Sequence, residues 1–342
     1  MEKIDFVITW VDGTDPRWLA EKNKWEKLAG LVREDDANDD CRYRPDDDVL
    51  RYWFRAVEKF APWVNKVFFV TCGQKPRWLN EANPKLRLVS HADYIPAEYL
   101  PTFNCSVIEL NYNRISDLSE HFVFFNDDML LLQPVKEDYF FKSGKPVLDT
   151  CLMHTVHKSN AINIKRMMFN DYYIVNTSFD IKKTIWENRR KWFSIKELGY
   201  RRALRNYLCY LANTTMPVGY YGHIALPHLK STFQELWDCH AEIMNQTSRQ
   251  RFRTDSQVNQ WLMCAWNQAK GCFYPCDATR KGRAYNISTK NINAVEDAIK
   301  RQLYPQVCLN DSSDNDDNEK CIRIICDAFE EILPEKSSFE KF

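Results

Sequence analysis

The run Phe122-Val123-Phe124-Phe125-Asn126-Asp127-Asp128-Met129-Leu130-Leu131-Leu132 constrains this chain more than any other. Four apolar residues, three of them aromatic, predict a buried β-strand. An amide and two adjacent carboxylates then intervene before four further apolar residues. Removing a carboxylate from water is costly unless a cation, a proton or hydrogen bonds compensate. Strand ends are also where open α/β sheets bind ligands. The segment therefore fits a divalent-metal or acid/base site at a strand end. It fits equally a turn in which Asn and Asp cap the element that follows.

The preceding residues predict more strands of the same kind. Ile4–Trp10 is β-rich and ends in the turn-forming cluster Val11–Pro16; Lys66–Thr71 and Leu86–Ser90 follow. An Asp at the second position of an apolar first strand, Asp5, needs a metal, an arginine, a substrate hydroxyl or solvent as its partner. Helices are expected at Arg17–Val32, from Val49 to Phe60 with a core stripe at helical spacing, and across Cys105–Glu120. Arg33–Asp48 reads as a solvated acidic loop in which Asp46 or Asp47 caps the next helix. Strand–helix–strand–strand–helix–strand predicts an α/β fold with a Rossmann-like sheet of parallel character.

Other patterns narrow the function. Basic and acidic residues balance at 47 each, which argues against electrostatic binding of nucleic acid or a membrane surface. No glycine-rich phosphate loop of the usual kinds occurs. Twelve cysteines without CxxC spacing predict reduced, mostly buried thiols rather than zinc sites or disulfides. With no leader pattern and no apolar run long enough to span a bilayer, the expectation is a soluble cytoplasmic protein. Ile181–Leu211 predicts basic amphipathic helices. Helices are also expected at Leu229–Ile243, up to Ala269 and over Cys321–Leu333. His223 precedes one of them, as an acid/base or phosphate-binding histidine would, although most such histidines are structural. Val307-Cys308-Leu309-Asn310-Asp311 repeats the opening theme of apolar residues followed by Asn-Asp. The acidic run 314–319 lacks the glycine of a calcium-binding EF-hand loop.

Together these segments carry a family resemblance. IDFVITWVDGTDPRW (4–18) resembles the first conserved region of the Stealth family of sugar-1-phosphate transferases. Residues 50–80, 100–104, 107–115 and 122–135 resemble the second. Residues 223–255 resemble the third, and VCLND (307–311) with the terminal helix resembles the fourth. The resemblance implies a nucleotide-sugar-binding core like that of type A glycosyltransferases, with residues 1–135 as one half, 136–215 as a mainly helical insertion and 216–342 as the remainder. It implies a hexose-1-phosphate, for example GlcNAc-1-phosphate, moving from a UDP-sugar to an oligosaccharide or polysaccharide hydroxyl, with UMP released. Such an enzyme could associate peripherally with a membrane-bound capsule-synthesis complex.

Carried over by motif position, the resemblance implies Asp5, Glu109, Asp128, His223 and Arg253 as catalytic residues. Trp10, Gly73, Gln74, Arg114 and Asp127 are expected around the substrate, and Asp128 with Asn310 around Mg2+ or Mn2+. Phosphoryl transfer needs neutralisation of phosphate charge, which a cation and Arg253 supply, and a base from among Asp5, Glu109 and His223. Two departures from the family pattern stand out: Ala225 where proline is usual, and Gln257 where an Asp is common. The competing readings are a metal-dependent glycosyltransferase that releases UDP and a non-catalytic carbohydrate-binding protein.

Overall fold

The computed structural model describes residues 2–30, 49–153, 164–217, 219, 222–311 and 317–341. The acidic loop expected at 33–48, with its capping residues Asp46 and Asp47, lies outside them, as do positions 314–316 of the second acidic run.

Strands β1 (Ile4–Thr9), β2 (Val67–Thr71), β3 (Leu86–Ser90) and β4 (His121–Phe125) form the predicted parallel sheet. Strands β5 (Met129–Leu131), β6 (Phe141–Lys142), β7 (Lys145–Asp149), β8 (Leu226–Leu229), β9 (Tyr274–Cys276), β10 (Gly282–Asn286) and β11 (Gln306–Asn310) follow. The main sheet has the order β3-β2-β1-β4-β8, with β8 antiparallel to β4. Two small sheets flank it, β10-β11-β5 and β6-β7-β9. Strand order reverses between β1 and β4, and in open α/β sheets such a switch point opens a crevice at the carboxyl ends of the strands.

Both faces of this sheet are covered, which is why its strands read as continuous apolar runs. Alternation sends Phe6, Ile8, Phe69, Val123 and Phe125 into one core, shared with helices Val49–Phe60, Ile292–Lys300 and Asn318–Ile332. Val7, Phe68, Val70, Phe122 and Phe124 enter the other, against helices that include Ile164–Ser178, Lys230–Cys239 and Trp261–Ala269. Strand β7 pairs in parallel with β9, tying the middle of the chain to its last third. The fold is α/β. No described helix is long and apolar enough to cross a membrane.

Two helices are shorter than their apolar spacing predicts. The one from Cys105 stops at Leu110 because the Asn111 side chain donates to the Val107 carbonyl at 2.8 Å, and a 3-10 turn, Tyr112–Arg114, follows. The one expected at Leu229–Ile243 breaks at His240 into Lys230–Cys239 and Ala241–Ser248. The eleven described cysteines are free.

Candidate active site

At the carboxyl end of β4 the chain turns back on itself, with Met129 N–H donating to the Asn126 carbonyl at 3.1 Å, and enters β5. Strand β5 pairs antiparallel with β11, placing Met129 opposite Cys308, and Leu309 N–H donates to the Asp128 carbonyl at 2.8 Å. The two Asn-Asp motifs of the sequence thus meet across one strand pair. Because β8 runs antiparallel to β4, the segment preceding Leu226 continues past the end of β4. It carries His223 at φ 42°, a left-handed backbone uncommon for a non-glycine residue. Ala225 N–H donates to Gln306 Oε1 at 3.2 Å and pins this loop over β11.

These three connections bring one ligand atom each from Asp128, His223 and Cys308 within 4.8 Å of one another. Asp128 Oδ1 is buried and accepts no hydrogen bond among the described residues, although most buried polar atoms do. A carboxylate, an imidazole and a thiol fit a divalent cation, and the two softer donors favour Mn2+ over Mg2+. Asn310, expected as a ligand beside Asp128, stands one contact further back. Its amide oxygen accepts from Cys308 Sγ at 3.4 Å, and its Nδ2 donates to Asn286 at 3.2 Å. Asp127 lies half-buried in the turn itself.

A second group assembles around Glu109. Its helix, Cys105–Leu110, is capped by Asn104, whose Oδ1 accepts from Ser106 N–H at 3.1 Å. The same Asn104 donates to the Phe252 carbonyl and to Gln257 Oε1, drawing the Arg253 loop onto this helix. Gln257 in turn donates to Ser106 Oγ at 3.1 Å, so the glutamine that departs from the family pattern is a buried strut between the two segments. Arg253 donates to Cys105 Sγ at 2.8 Å. Burial raises the Glu109 carboxyl to about 7, against the opposing pull of Arg253 and the Cys105 hydrogen bond. Phe103 stacks on Phe252 at 5.2 Å and packs with Trp18, Val11 and Cys72. Val11 and Cys72 follow the ends of β1 and β2, so this group also stands at the carboxyl edge of the sheet.

Sequence reasoning overlooked Cys308 and Asp171. Asp171 is fully buried on the helix Ile164–Ser178; it accepts from Asn259 N–H at 3.1 Å, and its Oδ2 has no partner among the described residues. Burial, with Glu109 adding to it and the Asn259 hydrogen bond opposing, pushes the Asp171 carboxyl well above the usual range. The signal was present: Asp171 falls on the buried helical stripe of Met167, Ile174 and Val175.

Asp5 does not join either group. It lies near the start of β1, roughly 13 Å of strand away from Thr9. It is fully buried, accepting from Asn65 Nδ2 at 2.6 Å, Lys66 N–H at 3.1 Å and Ser119 N–H at 2.8 Å. These donors hold it at the amino edge of the sheet, so the structure does not bring Asp5 together with the other expected catalytic residues. Arg114 is likewise committed elsewhere, donating to Asn111 at 2.9 Å and lying 4.6 Å over the Trp237 ring. Trp10 is buried against Phe69. Gln74 clamps the loop after β1: it accepts from Asp12 N–H at 2.8 Å and donates to Asp15 at 3.1 Å. Gly73, at φ 103°, has open space where a side chain would be.

Comparison with known proteins follows the same lines. Residues 2–28 match Stealth protein CR1, conserved region 1, and residues 42–148 match Stealth protein CR2, conserved region 2. Capsular polysaccharide phosphotransferase WcwK of Streptococcus pneumoniae is 39% identical over 342 residues, covering 100% of each chain. Receptor polysaccharide phosphotransferase WefC of Streptococcus oralis is 37% identical over 345 residues, covering 99% of this chain and 100% of its own. Among solved structures, the galactosyltransferase LgtC with donor and acceptor sugar analogs spans 97% of this chain and 96% of its own at 9% identity. The TM-score there is 0.41, a likeness of shape too remote to argue from.

Proposed function

The chain belongs to the Stealth family of polysaccharide phosphotransferases, and from that premise we propose that it moves a hexose-1-phosphate from a UDP-sugar, such as UDP-GlcNAc, to a sugar hydroxyl of a capsular or cell-surface polysaccharide. The observation that carries the reading is the meeting of Asp128, His223 and Cys308 beside a buried carboxylate oxygen without a partner among the described residues. In this reading residues 1–135 hold the nucleotide end of the donor, and 216–342 complete the transfer centre.

The acceptor oxygen bonds to the β-phosphorus, the bond to the bridging oxygen breaks, and UMP leaves. Arg253 grips non-bridging oxygens of the diphosphate with its planar fork of donors. Asp128, His223 and Cys308 would hold a divalent cation, which would supply charge neutralisation on the diphosphate and the leaving monophosphate. With His223 in that set and Asp5 held by its own donors, Glu109 is left as the group that accepts the acceptor's proton. A carboxyl raised to about 7 is matched to that task near neutral pH. On this reading the reaction belongs to the cytoplasm.

The test supplies a panel of UDP-sugars, Mg2+ or Mn2+, and an oligosaccharide acceptor. UMP release with a phosphodiester product is expected. Release of UDP with a glycosidic product, or sugar binding without turnover under any condition, would overturn the proposal.

A further inference from the structure

Twelve large hydrophobic side chains are left exposed among the described residues, and ten of them lie between Ile164 and Leu211. The densest set is on the helix Ile195–Ala212, whose geometry breaks at Gly199 (φ 74°) so that residues 200–212 run as a separate rod. Tyr200, Leu204, Tyr207, Leu208 and Leu211 recur there at i, i+4, i+7, i+8 and i+11, which is one helical stripe. Each is between 41% and 67% exposed.

This stripe is not a core face left open by loose docking, because the other side of the same helix is firmly attached. Asn206 is fully buried, donating to the Thr150 and Trp192 carbonyls at 2.8 Å each and accepting from Leu152 N–H at 2.9 Å. Arg202 pairs with Asp149 at 2.6 Å and Asp277 at 3.0 Å. The helix is thus fixed to the body, with its apolar stripe facing outward.

Charge says what covers it. Residues 164–212 carry eleven Lys and Arg against four Asp and Glu, although the whole chain balances 47 against 47. Arg201 and Arg205 border the stripe, and Lys183, Arg190 and Lys196 are exposed on the neighbouring segments. Leu and Tyr on one face beside Lys and Arg are the pattern of a helix lying in the plane of an anionic bilayer surface. A second copy docked on the same patch would face like charge with like charge. We propose that the outward face of residues 164–212, centred on the 200–211 stripe, docks this protein on the surface of an anionic phospholipid bilayer without spanning it.

The experiment uses the full chain and sedimentation with vesicles of phosphatidylcholine alone or mixed with phosphatidylglycerol. Binding is expected to the mixed vesicles and to weaken as salt is raised. The combined Leu204→Ser, Leu208→Ser and Leu211→Ser variant should lower partitioning about tenfold or more. Arg201→Glu with Arg205→Glu should remove the preference for anionic lipid. Because these side chains are exposed, far-UV circular dichroism and turnover with a soluble acceptor should match the parent protein. Absence of binding to mixed vesicles, or binding that neither variant changes, would overturn the proposal. So would a concentration-dependent dimer that the leucine variant dissociates, which would make a second copy the occupant.

Discussion

Asp5 lies on β1 and Asp128 in the turn that follows the neighbouring β4, so the two stand at opposite edges of one sheet and in opposite surroundings. At the amino edge Asp5 is surrounded by three donors, two from backbone and one from Asn65. At the carboxyl edge Asp128 keeps a buried oxygen with no donor among the described residues, and an imidazole and a thiol lie close to it. The first arrangement satisfies a charge and closes the fold around it. The second leaves a buried carboxylate oxygen without a donor among the described residues. On the proposed reading, what separates the two carboxylates is their supply of hydrogen-bond donors.

Substitutions can break or sharpen this contrast. The largest effect is expected for Asp128→Asn, which should lower kcat/KM about a thousandfold or more while leaving the thermal midpoint unchanged or higher. An equal loss in Asp127→Asn, measured in the same UMP-release assay, would remove the distinction drawn between the two carboxylates. Asp5→Ala should behave in reverse. Leaving the Asn65, Lys66 and Ser119 donors unpaired should cost on the order of 3 kcal/mol in a urea titration, with turnover per folded molecule preserved.

Glu109→Gln tests the pH dependence. The folded carboxyl is raised to about 7 from an ordinary value of 4.5. The stability associated with its protonated form is therefore complete below about pH 4.5 and lost as pH rises through about 7. Above that range the Glu109→Gln protein should be more stable than the parent, by on the order of 2 kcal/mol. Its pH–rate profile should also lack the acidic limb that the parent shows as Glu109 loses its proton. The smallest change is expected for Cys308→Ser, which should shift the preference from Mn2+ toward Mg2+ by about tenfold or less. Binding of Co2+ to this variant should lack the sulfur-to-metal charge-transfer absorption expected of the parent.

The sheet was legible in advance because its strands are buried on both faces, so Val67–Thr71 and His121–Phe125 stand out as uninterrupted apolar runs. Asp128 was legible as an anomaly at the end of such a run. Glu109 and Arg253 came from motif order alone, and His223, noted beforehand only as a histidine ahead of an expected helix, gained its role from the same order. Cys308 escaped notice because thiols in an apolar run read as core, and only the β5–β11 register brings it to Asp128. Asp5 was recognised as needing a partner, but backbone amides from two distant loops leave no side-chain signature in a sequence. The Cys105–Leu110 helix was overextended because periodicity does not register the Asn111 side chain competing for the Val107 carbonyl.

The pairing of β5 with β11 also has a consequence for the order of synthesis. Asp128 leaves the ribosome long before Gln306–Asn310 exists, and until that strand arrives there is no Leu309 amide to fix its backbone and no Cys308 beside it. A nascent or prematurely released chain could complete the first four strands of the main sheet and still lack the centre. On the proposed reading, transfer competence therefore comes late in translation, and fragments ending before residue 306 should leave activated sugars untouched.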